Sequence, residues 1–420
     1  MTYSMEKKVE LICKKALKAS SQIANISEKK RDKALIKIAN NILKNSKKIE
    51  NANEKDIKLA KKNSVNSNLI DRLLLDSGRI KNLSTDIKNI VKLKSPIGRL
   101  LDKKIRPNGL KISKVSVPLG VIAVIYESRP NVTSDVAALC IKSGNAVILK
   151  GGKEAKYTTE LLIKIIKESL EKSRINSDCV LSLKDYSRNA VNHLFKMDRY
   201  VDVLIPRGGK NLVKNVRDNC KIPVFSHLDG ICHTYIDQYA KKNMAINVSF
   251  NAKMRRTSIC GATETILCHQ KSSDKILPTL IKKLFKDGCK VVGDSKVKKY
   301  DKKIIKAKQN DWETEYLDAK VSIKIVDSLN DAIKHINTYS SGHTDAIITD
   351  NLKNAKIFIK NIESAIVMHN TSTQFADGAE FGLGAEIGIS TGKLHARGPV
   401  SLDGLTTYKY IVVGKGQLRK

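Results

Sequence analysis

The sequence predicts an α/β protein with two units of parallel β-sheet, and three observations support this fold class. The run GVIAVIY, residues 120–126, is apolar throughout, as expected for a strand that is buried on both faces. Downstream of it, strand-like and helix-like segments alternate at the spacing of β-α-β units. After the loop RRTSICGATET, residues 255–265, the alternation resumes and indicates a second α/β unit.

The segment before the first sheet is predicted to be helical from residue 5 to about 95. Apolar residues in it recur every three or four positions, which is the spacing of one helix face, with lysines opposite. The clearest stripe, preceded by Ser27 as a candidate N-cap, consists of Leu35, Ile38, Ala39, Ile42 and Leu43. The next segment, GLKISKVSVPLG at 109–120, alternates apolar and polar residues and predicts an exposed strand or hairpin arm.

The two parallel units are predicted from short apolar segments. The strands of the first are GVIAVIY, AVILK and VDVLIP, and those of the second are TETILC, VSIKIV, TDAIIT and AIVMHN. A glycine-rich stretch, residues 372–398, carries phenylalanines and isoleucines that would be costly to expose. We therefore predict an ordered loop that lines a pocket. The tail GLTTYKYIVVG, residues 404–414, has the composition of a further strand.

The composition narrows the function classes. The formal net charge of the 420 residues is +35, which would ordinarily suggest nucleic acid as a partner. The lysines are spread over almost every segment with few aromatic residues among them, so we expect no specific nucleic-acid function. No apolar stretch is long enough to span a bilayer, and the start lacks the apolar centre of a signal peptide. These features favour a cytoplasmic protein.

Eight cysteines are scattered without paired spacing, which is typical of reduced thiols. Cys232-His233, Cys260 and Cys268-His269 are close in sequence, but no C-x-x-C or H-x-x-x-H spacing accompanies them, and we assign no metal. Cys260 differs from the other thiols because it lies in a small, polar, basic loop rather than in an apolar run. A thiol in such a loop can serve as a nucleophile.

Several blocks of the sequence resemble the glutamate-5-semialdehyde dehydrogenase family, a branch of the aldehyde dehydrogenase superfamily. They extend over almost the whole chain: VPLGVIAVIYESRPNVTSDVAALCIKSGNAVILKGG, IPRGGKNL, HLDGICHTYID, SGHTDAI, FADG with GLGAEIGIST, and KLHARGP with GLTTYKY. The resemblance implies an aldehyde dehydrogenase-like α/β fold with two parallel-sheet domains and a small β oligomerisation element. It implies an NADP-binding domain at 1–100 and 118–228, a catalytic domain at 229–395, and an oligomerisation element formed by 101–117 with 396–420.

The resemblance also implies the roles of individual residues. Cys260 matches the nucleophile that forms a thioester with the acyl group. Asn131 matches the asparagine whose amide, together with the backbone N–H of Cys260, holds the oxyanion. The residues implied for the cofactor, NADP, are Lys150 and Glu154 at the adenosine ribose, Gly208 and Gly209 at the pyrophosphate, and Glu315 at the nicotinamide ribose. Asn131 is equally suited to cap the helix that follows, and Glu315 can be an ordinary exposed acid.

The sequence also departs from the family pattern. The block HLDGICH begins with His227, at the position where hydrolytic relatives have the glutamate that activates water. The absence of this glutamate fits an enzyme whose thioester is not hydrolysed. We assign His227 no catalytic step. The nucleophile loop, usually similar to QRPSTCNA, reads RRTSICGA and is expected to be looser. Gln374 replaces an arginine, which is expected to remove a contact to a substrate anion. Lys393, His395 and Arg397 are candidates both for anion binding and for structural ion pairs.

The activity that the resemblance implies is NADPH-dependent reduction of L-glutamyl 5-phosphate to L-glutamate 5-semialdehyde and phosphate, the second step of proline biosynthesis. It also implies a homo-oligomer and admits a glutamate kinase as a partner. NADP over NAD follows from the resemblance alone, because Lys150 would attract a 2′-phosphate and Glu154 would repel one. Three alternatives stay open: an aldehyde dehydrogenase that acts on another substrate, a basic nucleic-acid-binding protein, and a catalytically inactive relative.

Overall fold

A computed structural model describes residues 4–419, apart from the side chains of residues 67 and 68. The chain divides into two compact units. The first runs to Ser226 and includes Gly382–Gly388 and the segment that begins at Val400. The second comprises His227–Phe381 and Ile389–Pro399. None of the helices within residues 4–419 is long and apolar enough to cross a membrane.

The helices and strands follow one another in an order close to the predicted one. The helices are α1 (Met5–Ala24), α2 (Glu28–Lys44), α3 (Ser46–Lys62), α4 (Ser67–Leu73), α5 (Ser77–Lys92), α6 (Asn131–Lys142), α7 (Lys156–Glu171), α8 (Arg188–Leu194), α9 (Lys210–Asn219), α10 (Lys242–Met254), α11 (Gln270–Lys286), α12 (Leu329–Tyr339) and α13 (Leu352–Asn361). The strands are β1 (Leu100–Ile105), β2 (Lys111–Pro118), β3 (Val121–Tyr126), β4 (Ala146–Lys150), β5 (Val180–Ser182), β6 (Val203–Arg207), β7 (Cys232–Ile236), β8 (Thr263–His269), β9 (Lys290–Gly293), β10 (Ile305–Lys306), β11 (Lys320–Val326), β12 (Thr344–Ile348), β13 (Ile366–His369), β14 (Gly388–Ser390), β15 (Gly398–Val400) and β16 (Thr406–Val413).

The first unit contains a parallel sheet with the strand order β5-β4-β3-β6. The predicted run GVIAVIY forms β3, and every residue of this strand is buried. Its neighbours in register are β4, with Val121 opposite Ala146, and β6, with Ile122 opposite Val203. Gly144 ends the turn between α6 and β4 with φ +71°, a left-handed conformation that favours glycine.

A smaller antiparallel sheet has the order β1-β2-β16. The predicted hairpin arm is β2, and the predicted tail strand β16 pairs with it, with Val413 opposite Lys111. The residues of β1 are all exposed. On β16, the exposed residues include Tyr408, Tyr410 and Val412. This sheet therefore presents apolar side chains to solvent.

The second unit is built on a parallel sheet with the order β10-β9-β11-β8-β7-β12-β13. Because successive residues of a strand point to opposite faces, Ile266 packs into one core and Leu267 into another. Helices α10 and α11 cover the first of these cores, and α12 and α13 cover the second. The α/β class with parallel sheets and a small antiparallel sheet is thus confirmed.

Some elements differ from the prediction. Strands β9 and β10 were not predicted because they are too short to show a pattern. Strand β9 has four residues, and β10 has two residues that are both exposed. Strand β7 was missed because its sequence, CHTYI, is fully buried yet half polar. The glycine-rich stretch contains β14, which pairs with β15, and the pocket that it was expected to line stays a prediction.

Candidate active site

Three side chains from distant parts of the sequence meet in the second unit. Strands β8, β7 and β12 are adjacent and parallel, so their amino ends lie at the same edge of the sheet. Cys260 lies in the turn before β8, His227 lies before β7, and His343 directly precedes β12. The Sγ of Cys260 and one ring nitrogen of each histidine lie within 4.8 Å of one another.

Both imidazoles are oriented through Nδ1. His227 Nδ1 lies 2.7 Å from the carbonyl oxygen of Ile389, and His343 Nδ1 lies 2.9 Å from the hydroxyl of Thr344. The two rings meet edge to face with their centroids 5.0 Å apart. Within the part of the chain that the structure describes, Nε2 of His343 is buried and has no hydrogen-bond partner. This nitrogen is the one left to face the thiol of Cys260.

The two neighbouring cysteines of this cluster have opposite acidities. Burial alone would raise the pKa of the Cys260 thiol, but the charge of His343 and the close approach of the His227 and His343 rings outweigh it, so the pKa lies well below its ordinary value. Burial and the charge of Asp345 raise the pKa of Cys232 well above that value. Cys232 therefore stays protonated and donates to the carbonyl of Cys260 at 3.1 Å. One thiol is a nucleophile and the other a fixed donor.

Alkylation of Cys260 is expected to continue at pH values below those at which an ordinary thiol reacts, because its low pKa keeps the thiolate populated as the pH falls. His343→Ala removes a favourable charge, so the midpoint of the rate against pH should move upward. Peptide-resolved mass spectrometry after brief iodoacetamide treatment measures the alkylation rate of Cys260 at each pH, and thereby the midpoint in the unmodified protein and in the variant. Cys220 is the internal reference, since it is also partly exposed and burial raises its pKa. An unchanged midpoint in the variant would contradict the role of His343.

Gln374 fastens the loop that carries Cys260. Its buried amide nitrogen donates to the carbonyl of Ala252 at 3.0 Å and to that of Arg256 at 3.3 Å. Its oxygen accepts a hydrogen bond from the Arg255 guanidinium at 3.5 Å. Both ends of the amide are thus engaged with the nucleophile loop and the end of α10. These bonds counter the looseness expected from the loop sequence, and the loss of a contact to a substrate anion at Gln374 stays a prediction.

Gly230 allows the chain to pass directly against the nucleophile. A Cβ atom at this position would lie 2.3 Å from the carbonyl oxygen of Cys260 and 2.6 Å from its Cα and Cβ atoms. The amide of Gly230 donates to the carboxylate of Glu315. Burial raises the pKa of Glu315, and the charges of Cys260 and Asp229 act in the same direction. The structure therefore brings Glu315 close to Cys260.

In the first unit, Lys150 is the last residue of β4, and Glu154 lies in the short helical turn that follows, Lys153–Ala155. Lys150 is buried, its ammonium lies 5.2 Å from the centroid of the Tyr186 ring, and burial lowers its pKa. The carboxylate of Glu154 accepts hydrogen bonds from the amide and the hydroxyl of Ser128 at 2.6 and 2.9 Å. Ser128 has φ +44°, which is strained for a residue with a side chain. Glu154 thus stabilises the loop that follows β3.

Asn131 is the first residue of α6, while Pro130 occupies the N-cap position. The side-chain amide of Asn131 donates to the carboxylate of Asp135 at 3.1 Å, one turn along the helix. Burial raises the pKa of Asp135 to about 7, and the charge of Asp86 adds to this effect. Asn131 therefore does not cap the helix, and its side chain binds Asp135 instead.

Gly208 and Gly209 connect β6 to α9, with Gly209 at the N-cap. The carboxylate of Glu127 accepts a hydrogen bond from the Gly209 amide at 2.8 Å. A Cβ atom on Gly208 would lie 2.4 Å from the same carboxylate. The amino end of α9 thus already holds an anionic oxygen, which is the type of group predicted to bind there.

Two of the candidate anion-binding residues of the glycine-rich stretch contact the same acidic residue. Lys393 forms an ion pair with Glu363, and the Arg397 guanidinium donates to the Glu363 carbonyl. The structure therefore favours the ion-pair alternative for Lys393, and it shows Arg397 in a hydrogen bond to the backbone. Among the residues near the nucleophile, sequence reasoning gave no role to His343, Cys232 or Gly230, although the blocks SGHTDAI and HLDGICH contain them.

The family model described as the aldehyde dehydrogenase family matches residues 1–321. The chain belongs to the aldehyde dehydrogenase family. An acetylating aldehyde dehydrogenase from Geobacillus thermoglucosidasius, 15% identical with a TM-score of 0.71 over 99% of this chain and 98% of that one, shares the fold. Family membership implies an oxidoreductase that uses a nicotinamide cofactor.

Relatives of higher identity define the branch. A protein named gamma-glutamyl phosphate reductase from Nautilia profundicola is 47% identical over 409 residues, 97% of this chain and 99% of its own. One of the same name from Caldanaerobacter subterraneus subsp. tengcongensis is 44% identical over 412 residues, 98% of this chain and all of its own. The crystal structure of gamma-glutamyl phosphate reductase from Thermotoga maritima, 39% identical, covers 98% of this chain and 100% of that one with a TM-score of 0.96. The family resemblance predicted from the sequence is thus confirmed.

Proposed function

We propose that this protein catalyses the NADPH-dependent reduction of L-glutamyl 5-phosphate to L-glutamate 5-semialdehyde and phosphate, the second step of proline biosynthesis. The substrate class is supported by the names of relatives that match along nearly the full chain. The chemistry rests on one observation, the low pKa of Cys260 beside His343 and His227. The lowered pKa increases the fraction of thiolate, and the thiolate is the nucleophile that attack on an acyl phosphate requires.

In the first step, the Cys260 thiolate attacks the acyl carbon. The C–S bond forms and the bond between the carbon and the phosphate oxygen breaks, so phosphate leaves and a γ-glutamyl thioester remains. We assign stabilisation of the developing oxyanion to the Cys260 amide and to Asn131, as the family resemblance implies. His227 is bound through Nδ1 to the Ile389 carbonyl and has the thiol beside it, so its role is to hold Cys260 as the thiolate.

In the second step, the thioester is reduced and the aldehyde is released. The nicotinamide, when bound, supplies the hydride. The C–S bond of the resulting thiohemiacetal then breaks, the carbonyl re-forms, and Cys260 leaves as the thiolate. The low pKa of Cys260 favours this step as well, because a thiol of low pKa is the better leaving group.

We assign the binding of NADP to Lys150, Glu154, Gly208 and Gly209 of the first unit. The role of Glu315 at the nicotinamide ribose stays a prediction. The glycines support the assignment, since the amide of Gly209 already binds the Glu127 carboxylate at the amino end of α9. A cofactor phosphate would compete with this carboxylate for the same donors.

Glu127→Ala is expected to tighten the binding of NADP by about two- to fivefold, because it frees the Gly209 amide and removes a negative charge from the amino end of α9. Calorimetric titration with NADP at constant ionic strength measures the change. Glu127→Gln is the matched control, since it removes the charge and keeps a hydrogen-bonding oxygen. Weaker binding in both variants would show that Glu127 itself holds the cofactor.

The proximity of Glu315 to Cys260 favours a second candidate, hydrolysis of the thioester by a water molecule that Glu315 activates. This would make the protein a hydrolytic aldehyde dehydrogenase. Burial raises the pKa of Glu315 and so strengthens it as a base, while the bond from the Gly230 amide acts in the opposite direction. The two functions differ in one requirement, since only the first consumes or releases phosphate.

The antiparallel sheet β1-β2-β16 is the proposed oligomerisation element. Tyr410 and Val412, which are two positions apart on β16 and therefore lie on the same face, are each more than half exposed, which is unusual for apolar residues of a sheet. We propose that a second copy of the chain covers this face. The divisions at residues 100, 118, 228 and 395, the cytoplasmic location and a glutamate kinase partner stay predictions.

The reverse reaction tests the proposed function. The purified protein is given L-glutamate 5-semialdehyde and NADP, with and without phosphate, and NADPH formation is followed by absorbance. We expect sustained turnover only when phosphate is present, because phosphate is needed to discharge the thioester. Equal turnover without phosphate would establish hydrolysis instead, and in that case Glu315→Gln should abolish it.

A further inference from the structure

We propose that His227, Cys260 and His343 bind a single zinc ion, which inhibits the protein reversibly by occupying its nucleophile. The three donor atoms, one thiol sulfur and two ring nitrogens, lie within 4.8 Å of one another in the second unit. The sequence gave no metal motif, since these residues are far apart along the chain. The inhibitory effect rests on the proposed function, whereas the binding of the ion does not.

The donors match the chemistry of zinc. Thiolate sulfur and imidazole nitrogen are its usual ligands, and a set of three leaves the fourth tetrahedral position to water. Tetrahedral zinc with bonds of about 2.0 to 2.3 Å separates its donors by about 3.4 to 3.8 Å. The present spacing, which is at most 4.8 Å, therefore needs a closure of at most about 1.4 Å, which side-chain rotation can supply. Zinc binds the thiolate and the neutral imidazoles, so any proton on the thiol or on a ligating ring nitrogen is released to solvent when the ion binds.

The surroundings orient the histidines as metal ligands. Ligating histidines almost always use their second ring nitrogen for a hydrogen bond that fixes the ring. His227 does so through Nδ1 with the Ile389 carbonyl, and His343 does so through Nδ1 with the Thr344 hydroxyl. The Nε2 atom of His343 is fully buried and has no hydrogen-bond partner among the described residues. A zinc ion would satisfy this nitrogen.

Charge and access also favour a cation. Glu315 is close enough to Cys260 and Asp229 for their charges to act on it, so two carboxylates and a thiolate share this region. Negative groups of this kind beside the three donors favour a divalent ion. Cys260 and His227 are only half-buried, which allows an ion to enter from solvent.

Cobalt reports on this site directly, because Co²⁺ occupies zinc sites and absorbs strongly in the near ultraviolet when a thiolate binds it. Metal-free protein is titrated with Co²⁺ and the thiolate-to-cobalt absorbance is recorded. We expect one equivalent of Co²⁺ per chain and complete displacement by Zn²⁺, which binds such sites more tightly than Co²⁺. Titration of the reductase reaction with Zn²⁺ should give inhibition that a chelator reverses.

Variants distinguish Co²⁺ bound at this site from Co²⁺ bound at other thiols. Cys260→Ala should abolish the absorbance, and His343→Ala or His227→Ala should weaken Co²⁺ binding by at least about 100-fold. Cys220→Ala is the matched control, since Cys220 is also partly exposed and lies in the other unit, and it should change neither the absorbance nor the basal turnover. Absorbance that survives in the histidine variants would overturn the proposal. Metal binding without turnover would refute only the proposed function, and turnover without the absorbance would refute only the metal site.

Discussion

Cys260→Ala is expected to lower turnover in both directions by at least about 10⁴-fold, because it removes the group that forms the covalent bond to the acyl carbon. The fold should be unaffected, since a smaller side chain replaces one in a half-buried turn. Initial rates of the forward reaction, together with the thermal unfolding midpoint, measure the two effects separately.

Two further variants serve as controls for the effect of Cys260→Ala. Cys220→Ala removes the other partly exposed thiol and should keep full activity. Cys260→Ser keeps the size of the side chain but replaces the thiol by a hydroxyl, which is not ionised at neutral pH, so it should be nearly as inactive as the alanine variant. If Cys260→Ala kept more than about a hundredth of the activity, the covalent mechanism would be wrong.

Gly230→Ala is expected to lower kcat by about 100-fold or more while the protein remains folded. The added methyl group would lie 2.3 Å from the carbonyl oxygen of Cys260, so the nucleophile loop must shift. A displacement of about 1 Å at a reacting group is enough for a loss of this size. Steady-state kinetics measures the effect on kcat.

Gly78→Ala is the matched control for this substitution. Its Cβ atom would come no closer than 3.4 Å to a neighbouring atom, which is ordinary contact, and it lies within α5, where alanine is favoured over glycine. This variant should be fully active. Full activity in Gly230→Ala would show that the contact with Cys260 does not position the nucleophile.

The fold was predictable where the pattern of apolar residues is strong. The run at β3 identifies a strand buried on both faces, and the alternation on either side of Cys260 identifies two parallel units. Short elements carry too little pattern, so β9 and β10 went unnoticed. Burial of polar residues concealed β7, where His233 and Thr234 are fully buried among hydrogen-bonding partners.

The site was predictable only in part. The loop composition and the family resemblance single out Cys260, but its activation depends on His343, which is brought beside it because β12 and β8 both flank β7. Strand order in a parallel sheet is a long-range property that local sequence does not specify. The role of Gln374 was equally hidden, since its partners Ala252 and Arg256 are more than one hundred residues away in sequence.

The central claim is that Cys260 carries the γ-glutamyl group as a thioester, and one measurement tests it most directly. The protein is mixed with L-glutamate 5-semialdehyde and NADP in the absence of phosphate, quenched in acid, and analysed by intact-protein and peptide mass spectrometry. The account predicts one γ-glutamyl group per chain, on the peptide that contains Cys260, which disappears when phosphate is added before the quench. NADPH formation with no acyl group on Cys260, or an acyl group on another residue, would contradict it.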